Sequence, residues 1–314
     1  GTGQAGRGAH PREATVTVLD GIRQLFDEIV HQPGCTLPAA HQPDTSGGLL
    51  APALSTAMQS DLVVLVLGDD RKYCGEFRST ATLELQGHQI ELAEQLAETG
   101  VPMVVVLINS KPLVLPQAVR DAAAIIECFN PGMLGGQALA EILAGQQEPK
   151  GRLTISFPKH VGQQPCFYGV VRGQHGNTYA DLDQQPLFAF GEGLSYSEVR
   201  YGVPQILTPT IAAGESVTAT VTVSNVGSRE HTEVVQCYLS DLVTSATWVD
   251  KSLVAFERLT LAPGESREVR LEVPYERLSL VNVDGERVVE PGDFELLIGP
   301  SSRNHQAVGF SVER

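Results

Sequence analysis

Asp61-Leu-Val-Val-Leu-Val-Leu-Gly68 is an apolar run without alternating polar residues, and Val101-Pro-Met-Val-Val-Val-Leu-Ile108 is a second. Strands that read this way are buried on both faces, as in a parallel sheet covered by helices. Between the two runs lies the charged loop Asp69-Asp-Arg-Lys-Tyr-Cys-Gly-Glu76, then a helical pattern over residues 85–99. Ile90, Leu92, Ala93 and Leu96 form its apolar stripe, and Gly100 is its expected stop. Towards the amino end, residues 14–30 begin extended and then place Leu19, Ile22, Leu25, Phe26 and Ile29 at helical spacing. Residues 51–60 read as a further helix leading into the first apolar run. Towards the carboxyl end the pattern predicts a helix over 113–123, a short strand over 124–129, and a helix over 135–143 that Gly145 ends. Strands alternating with helices predict an α/β fold with a doubly wound parallel sheet. Such a domain normally opens on a strand, whereas this chain opens on a glycine-rich stretch. The first parallel strand is therefore expected to be missing.

Beyond Gly162 the texture changes. Residues 163–190 are rich in Gln, Gly, Pro and aromatic residues without periodicity, which marks a connector. From Tyr201 onward helical patterns vanish. Ser216–Ser224 alternates with period two, and 234–239, 253–256, 267–273 and 294–298 follow, with Pro-Gly turns at 263–264 and 291–292. Short strands at regular spacing predict an immunoglobulin- or fibronectin-like sandwich. The expected organisation is an α/β domain over residues 1–162, a connector over 163–200 and an all-β sandwich over 201–314.

The chain has 314 residues and is 42% hydrophobic, enough for two cores. Its net charge of −15 argues against nucleic acid and anionic membranes as partners, because phosphate recognition needs clustered Lys and Arg. No apolar run approaches the roughly 18–20 residues that span a bilayer. The opening Gly1–His10 has no apolar core of a signal peptide. Five dispersed cysteines form no CxxC pair, and neither they nor the eight histidines have zinc-ligand spacing, so no metal or cofactor is expected.

The loop from Gly68 to Thr80 holds the candidate chemistry. It carries Asp69, Asp70, Arg71, Lys72, Glu76 and Arg78, and loops past the carboxyl ends of parallel strands converge on the crevice where ligands bind. A carboxyl group there can serve as a general acid/base if burial raises its pKa. A solvated charged loop is the other reading of the same residues. Pro131-Gly-Met-Leu-Gly-Gly136 matches no nucleotide-binding glycine pattern, and its glycines suit a tight turn and close helix packing. Gly191-Glu-Gly-Leu-Ser195 is no nucleophile elbow. Trp248, the single tryptophan, is either a sugar-stacking platform or a packing residue.

Several segments, in order, resemble the C-terminal half of glycoside hydrolase family 3, the β-glucosidase and β-xylosidase family, and are nearest in pattern to its bacterial periplasmic β-glucosidases. They are Thr15–Arg23, Gly75-Glu-Phe-Arg78 with Leu83–Gln89, Asn130-Pro-Gly132 with Gly135-Gly136, Gly151-Arg-Leu-Thr-Ile-Ser-Phe-Pro158, Val161–Gln163, and Pro186-Leu-Phe-Ala-Phe-Gly-Glu-Gly-Leu-Ser-Tyr196. The residues from 201 onward resemble the family's fibronectin type III-like domain. Three positions depart from the family pattern: Asp69 stands where a Glu is usual, Met133-Leu134 replaces an x-Glu pair, and Gln86 replaces a Pro.

The resemblance implies an (α/β)6-type sandwich lacking its first strand, then the fibronectin-like domain. It implies that an N-terminal (β/α)8 barrel of the same enzyme supplies an Asp nucleophile, commonly within Ser/Thr-Asp-Trp. Here Ser-Asp occurs at 60–61 and 240–241 without a following Trp. Glu76 aligns with the family's acid/base, and Asp69, Asp70 and Arg78 are candidate substrate-binding neighbours. The implied activity is that of a retaining, exo-acting β-glycosidase, foremost a β-glucosidase removing terminal non-reducing glucose. β-Xylosidase and exo-β-glucanase are the alternatives within the family, and a non-catalytic carbohydrate-binding or assembly module is the alternative outside it. On this reading the chain alone is expected to be inactive. Its partners are the oligosaccharide or β-glucoside substrate and the barrel, with room for a homodimer. A periplasmic or secreted location is implied, with a cytoplasmic one as the alternative.

Overall fold

The protein is described here from a computed structural model covering residues 12–38, 47–171 and 179–313. The glycine-rich opening lies outside the described residues, as does part of the expected connector. The chain divides into two compact units. One comprises residues 1–147 and 158–162, the other residues 148–157 and 163–314.

In the first unit, helices α1 (Val18–Leu25) and α2 (Leu50–Ala57) precede strand β1 (Val63–Gly68). Then come α3 (Gln89–Glu98), β2 (Met103–Ile108), α4 (Gln117–Arg120), β3 (Ala124–Glu127) and α5 (Gly135–Leu143). The strands form one parallel sheet in the order β1-β2-β3, with Gly68 opposite Ile108 and Leu107 opposite Glu127. Both apolar runs are thus adjacent parallel strands. Because side chains alternate across a strand, Val64, Val106, Ile108 and Ile126 share one face, where they pack with Val18 of α1 and Leu139 and Leu143 of α5.

Local chemistry sets the boundaries. Thr17 opens α1 with a capping box, its hydroxyl accepting from the Asp20 amide at 3.1 Å while Asp20 Oδ2 accepts from the Thr17 amide. Where α1 crosses α5, a Cβ on Gly136 would lie 2.1 Å from the Thr17 carbonyl oxygen, and one on Gly21 would lie 2.1 Å from that of Gly136. Glycine is therefore required on both helices. The helix expected over 113–123 shrinks to α4, since Pro116 disfavours helical backbone before it and Val114 instead bridges Glu84. The helix expected from residue 85 starts at Gln89, after Gly87 at φ +65°.

The second unit is a sandwich of two sheets. Its strands are β4 (Val199–Tyr201), β5 (Gln205–Ile206), β6 (Thr210–Ile211), β7 (Val217–Asn225), β8 (His231–Asp241), β9 (Ser252–Leu261) and β10 (Ser266–Val273). A small hairpin of β11 (Leu280–Val281) and β12 (Arg287–Val288) leads to β13 (Gly292–Gly299) and β14 (Gln306–Val312). One sheet runs β10-β7-β4, with β5 also on β7, and the other runs β6-β14-β13-β8-β9. Val217, Ala219, Val221 and Val223 alternate inward from β7 to meet Val235, Cys237, Leu296 and Ile298 of the facing sheet. Residues 148–157 join this unit by pairing with a later segment: Phe157 bridges Phe188, and Leu153 exchanges backbone bonds of 2.8 and 2.7 Å with Glu192 and Gly191.

Candidate functional site

Glu76 lies on the loop that leaves the carboxyl end of β1, with its side chain in solvent. The next residue, Phe77, adopts φ +61° and is 97% exposed. A bulky residue in the left-handed region is strained, and such strain is retained where the surroundings hold it. The loop is internally braced. The Asp70 carboxylate accepts from the Lys72 amide at 3.0 Å, its carbonyl accepts from the Tyr73 amide at 2.8 Å, and Arg78 donates to the Arg71 carbonyl at 3.2 Å. Lys72 Nζ donates to the Leu37 carbonyl at 2.9 Å. Asp70, Arg78 and Glu76 therefore belong to one loop.

Asp69 is different. Its side chain is 3% exposed and turns back onto the sheet. Oδ2 accepts from the Ser110 hydroxyl and from Lys111 Nζ, both at 3.3 Å, and Lys111 also donates to the Tyr73 carbonyl at 3.4 Å. Asp69 thus roots the loop in the segment that follows β2. At the same root, Gln89 of α3 clasps Gly68: its Oε1 accepts from the Gly68 amide at 2.8 Å and its Nε2 donates to the Gly68 carbonyl at 3.0 Å.

Two further polar residues share this end of the sheet. Asn109 follows β2, is 1% exposed, and donates to the Lys111 carbonyl at 2.7 Å. Glu127 ends β3 and accepts from the Phe129 amide at 2.6 Å, where Phe129 holds φ +45°. Burial pushes the Glu127 carboxyl up to about 7, with the Asp69 charge adding to the shift and the Phe129 amide and Asn109 side chain opposing it. Burial and the Glu127 charge push the adjacent Cys128 thiol up to about 11. Sequence reading passed over Asn109, Lys111 and Glu127. The rule that picked out Glu76, position just past a parallel strand, applies to Asn109 and Lys111, and Glu127 is the last residue of its own strand.

In the second unit, His231 Nδ1 meets Glu148 Oε1 and Ser195 Oγ, each at 2.8 Å, and Nε2 meets Glu233 Oε2 at 2.7 Å. Arg152 Nη2 reaches Glu233 at 3.1 Å with side chains only 8% and 4% exposed, and the Tyr201 hydroxyl donates to Glu233 Oε1 at 3.1 Å. Trp248 lines a cavity of about 450 Å³ with Asp241, Arg277 and Arg287. Among the described residues no three His, Cys, Asp or Glu side chains are grouped to hold a metal ion, and no helix is long and apolar enough to cross a membrane.

A helix-covered parallel sheet with an acidic loop past its first strand, followed in sequence by a two-sheet β sandwich, defines a class: an α/β sandwich domain and then a fibronectin-like domain. The glycosyl hydrolase family 3 C-terminal domain matches residues 1–196, and a fibronectin type III-like domain matches residues 233–302. The chain belongs to glycosyl hydrolase family 3. It is 39% identical over 298 residues to a β-xylosidase of Formosa agariphila, covering 92% of this chain and 40% of that protein. It is 35% identical over 280 residues to the periplasmic β-glucosidase of Salmonella typhimurium, covering 86% and 37%. Among solved structures, a β-glucosidase involved in saponin metabolism from intestinal bacteria superposes with a TM-score of 0.90 at 43% identity, covering 96% of this chain and 46% of that one. The β-glucosidase of Listeria innocua in complex with glucose gives 0.87 at 30% identity, covering 96% and 42%. The chain therefore spans about two fifths of the length of the curated relatives it matches.

Proposed function

We propose that this chain supplies the general acid/base of a retaining, exo-acting β-glycosidase that removes terminal non-reducing glucose from β-glucosides and oligosaccharides. The observation that carries this reading is the place of Glu76: a carboxyl group presented to solvent on a braced loop past a parallel strand, in a family 3 chain with relatives named β-glucosidase and β-xylosidase. Retention needs two carboxyl groups roughly 5–5.5 Å apart across the scissile bond. One attacks the anomeric carbon while the other protonates the departing oxygen; the second then takes a proton from the water that releases the sugar. Glu76 is the second group, and an Asp on an N-terminal (β/α)8 barrel is the first. Asp70 and Arg78 stand on the same loop to bond sugar hydroxyls, and Asp69 fixes the loop's root. Without the barrel's nucleophile, the chain by itself has no route to turnover. The periplasmic relative favours a periplasmic or secreted enzyme, and the net charge of −15 suits neutral sugars better than polyanions.

The test is Glu76→Gln in the complete enzyme. Turnover of substrates with poor leaving groups, such as cellobiose, should fall by at least a thousandfold, because their oxygen must be protonated as it leaves. Dinitrophenyl β-glucoside should be far less affected in its first step, and added azide should restore the second by trapping the glycosyl-enzyme. Equal losses on both substrates without azide rescue would sink the assignment. A panel of nitrophenyl β-glucoside and β-xyloside then separates the two sugars.

A further inference from the structure

Asp69, Asn109 and Glu127 come to one face of the sheet by register. Gly68 pairs with Ile108 and Leu107 with Glu127, so Asp69 and Asn109 stand one residue beyond the first pair. Alternation puts the two of them on the Leu67, Leu107 and Glu127 side. Each of the three leaves one buried oxygen without a hydrogen-bond partner among the described residues: Asp69 Oδ1, Asn109 Oδ1 and Glu127 Oε2. The nearby donors direct their closest hydrogen bonds to other atoms. Asn109 Nδ2 goes to the Lys111 carbonyl, Lys111 Nζ goes to Asp69 Oδ2 and the Tyr73 carbonyl, and the Phe129 amide goes to Glu127 Oε1. Unpaired buried acceptors cost free energy, and a proton on Glu127 Oε2 relieves two of the three at once by turning that oxygen into a donor for Asp69 Oδ1.

We propose that Glu127 keeps its proton on the acid side of neutrality, donates it from Oε2 to Asp69 Oδ1, releases it as pH rises through neutrality, and so acts as a positioning residue for the loop that bears Glu76. Protonated, Glu127 supplies the missing donor and removes a second negative charge from beside Asp69. Ionised, it leaves two carboxylates at one strand end against the single ammonium of Lys111. The titratable groups that face Glu127 among the described residues are Asp69 from the end of β1, Lys111 behind Asp69, and the neighbouring Cys128 thiol, whose raised pKa keeps it neutral. The raised carboxyl of Glu127 agrees with this arrangement. So does the backbone. Phe129 and Phe77 are the non-glycine residues with positive φ among the described residues. Phe129 presents its amide to Glu127, so the strained position is the one that bonds the carboxylate. The path between them is short. Glu127 acts on Asp69, Asp69 is bonded to Lys111, and Lys111 is bonded to Tyr73, three residues before Glu76. The effect on turnover rests on the reading of Glu76 given above; the proton on Glu127 does not.

The experiment uses the complete enzyme with 13C-labelled glutamate side chains, as wild type and as Glu127→Gln, whose amide mimics the protonated acid. The carboxyl resonance absent from the variant should titrate near pH 7 in the wild type. Trypsin cleavage after Arg71, Lys72 and Arg78, normalised to an unstructured peptide at each pH, should rise at least threefold between pH 6 and 8.5 in the wild type and stay flat in the variant. The alkaline limb of kcat/KM should move outward by at least one pH unit in Glu127→Gln. A Glu127 resonance titrating near 4.5 would overturn the proposal, and so would a midpoint that falls when calcium or sodium is added, which would assign the three oxygens to a cation. Should Glu127→Gln fail to fold, Glu127→Asp serves to assign the resonance and the wild-type titration decides. Failure of Glu76 as acid/base would leave the resonance and the cleavage results standing.

Discussion

Glu76 and Glu127 stand at the same end of one sheet in opposite surroundings, and the difference is one of solvation. Glu76 is exposed, whereas Glu127 is enclosed with Asp69 and Asn109. Enclosure links Glu127 to stability. The unfolded chain releases this proton near 4.5, while the folded chain holds it to about 7. Between those pH values the folded state binds more protons than the unfolded state, so stability is highest below 4.5, falls as pH rises and levels off above 7. The full effect is about 3 kcal/mol, from ~1.4 kcal/mol per pH unit. Urea unfolding of Glu127→Gln should lack most of that slope and exceed the wild type in stability at pH 8; an unaltered slope would place the ionisable group elsewhere. Glu76 was legible in the sequence because its loop position follows from the apolar run before it. Glu127 was not, because its proton affinity comes first from burial and then from the Asp69 charge 58 positions away, and only the folded sheet supplies either.

At the scale of elements, the start of α3 and the end of β1 are a single structure. The Gln89 side chain replaces the ladder partners that Gly68 lacks, and Gly68 must be glycine, since a Cβ there would lie 1.8 Å from the Ile108 carbonyl oxygen. Gln89→Leu keeps the volume and removes both bonds, leaving a buried N–H and a buried C=O unpaired. The expected loss is about 2–6 kcal/mol, with each unpaired group costing ~1–3 kcal/mol. Hydrogen exchange of the Gly68 amide should accelerate by at least tenfold while amides in the middle of β2 follow only the global change. Unchanged Gly68 protection would show that the clasp does not hold the strand end. The strands and α5 were legible because buried parallel strands and a strong apolar period leave little ambiguity. The short α4 was overestimated because apolar spacing ignored Pro116.

At the scale of the whole molecule, the segment 148–157 belongs with the β sandwich although residues on both sides of it belong with the α/β unit. Its anchor is the buried cluster of Glu148, Arg152, His231 and Glu233. Burial pushes the Glu148 carboxyl up, but hydrogen bonds from His231 and the Thr232 amide outweigh it, and the net shift is downward. A lowered carboxyl contributes stability that is present above its ordinary value of 4.5 and is lost as pH falls below it. Calorimetry of Glu148→Gln should therefore show a lower Tm for the sandwich transition at pH 7 and a weaker acid dependence between pH 5 and 3. Parallel curves for the two proteins would mean that Glu148 is not coupled to folding.

The sequence by itself determined the two fold classes, the strands and most helices, the loop that carries Glu76 and the resemblance to family 3. These are local: hydrophobic period, turn chemistry and ordered motifs are readable within short windows. The tertiary structure alone decided which polar side chains meet. Asp69 turns inward to Lys111 instead of standing with its loop, Glu127 finds Asn109, and His231 finds Glu148. Each of these encounters depends on strand register and helix crossing, which bring together residues far apart in sequence. Burial then sets proton affinity and bonding, because a charged group removed from water takes its properties from whatever faces it.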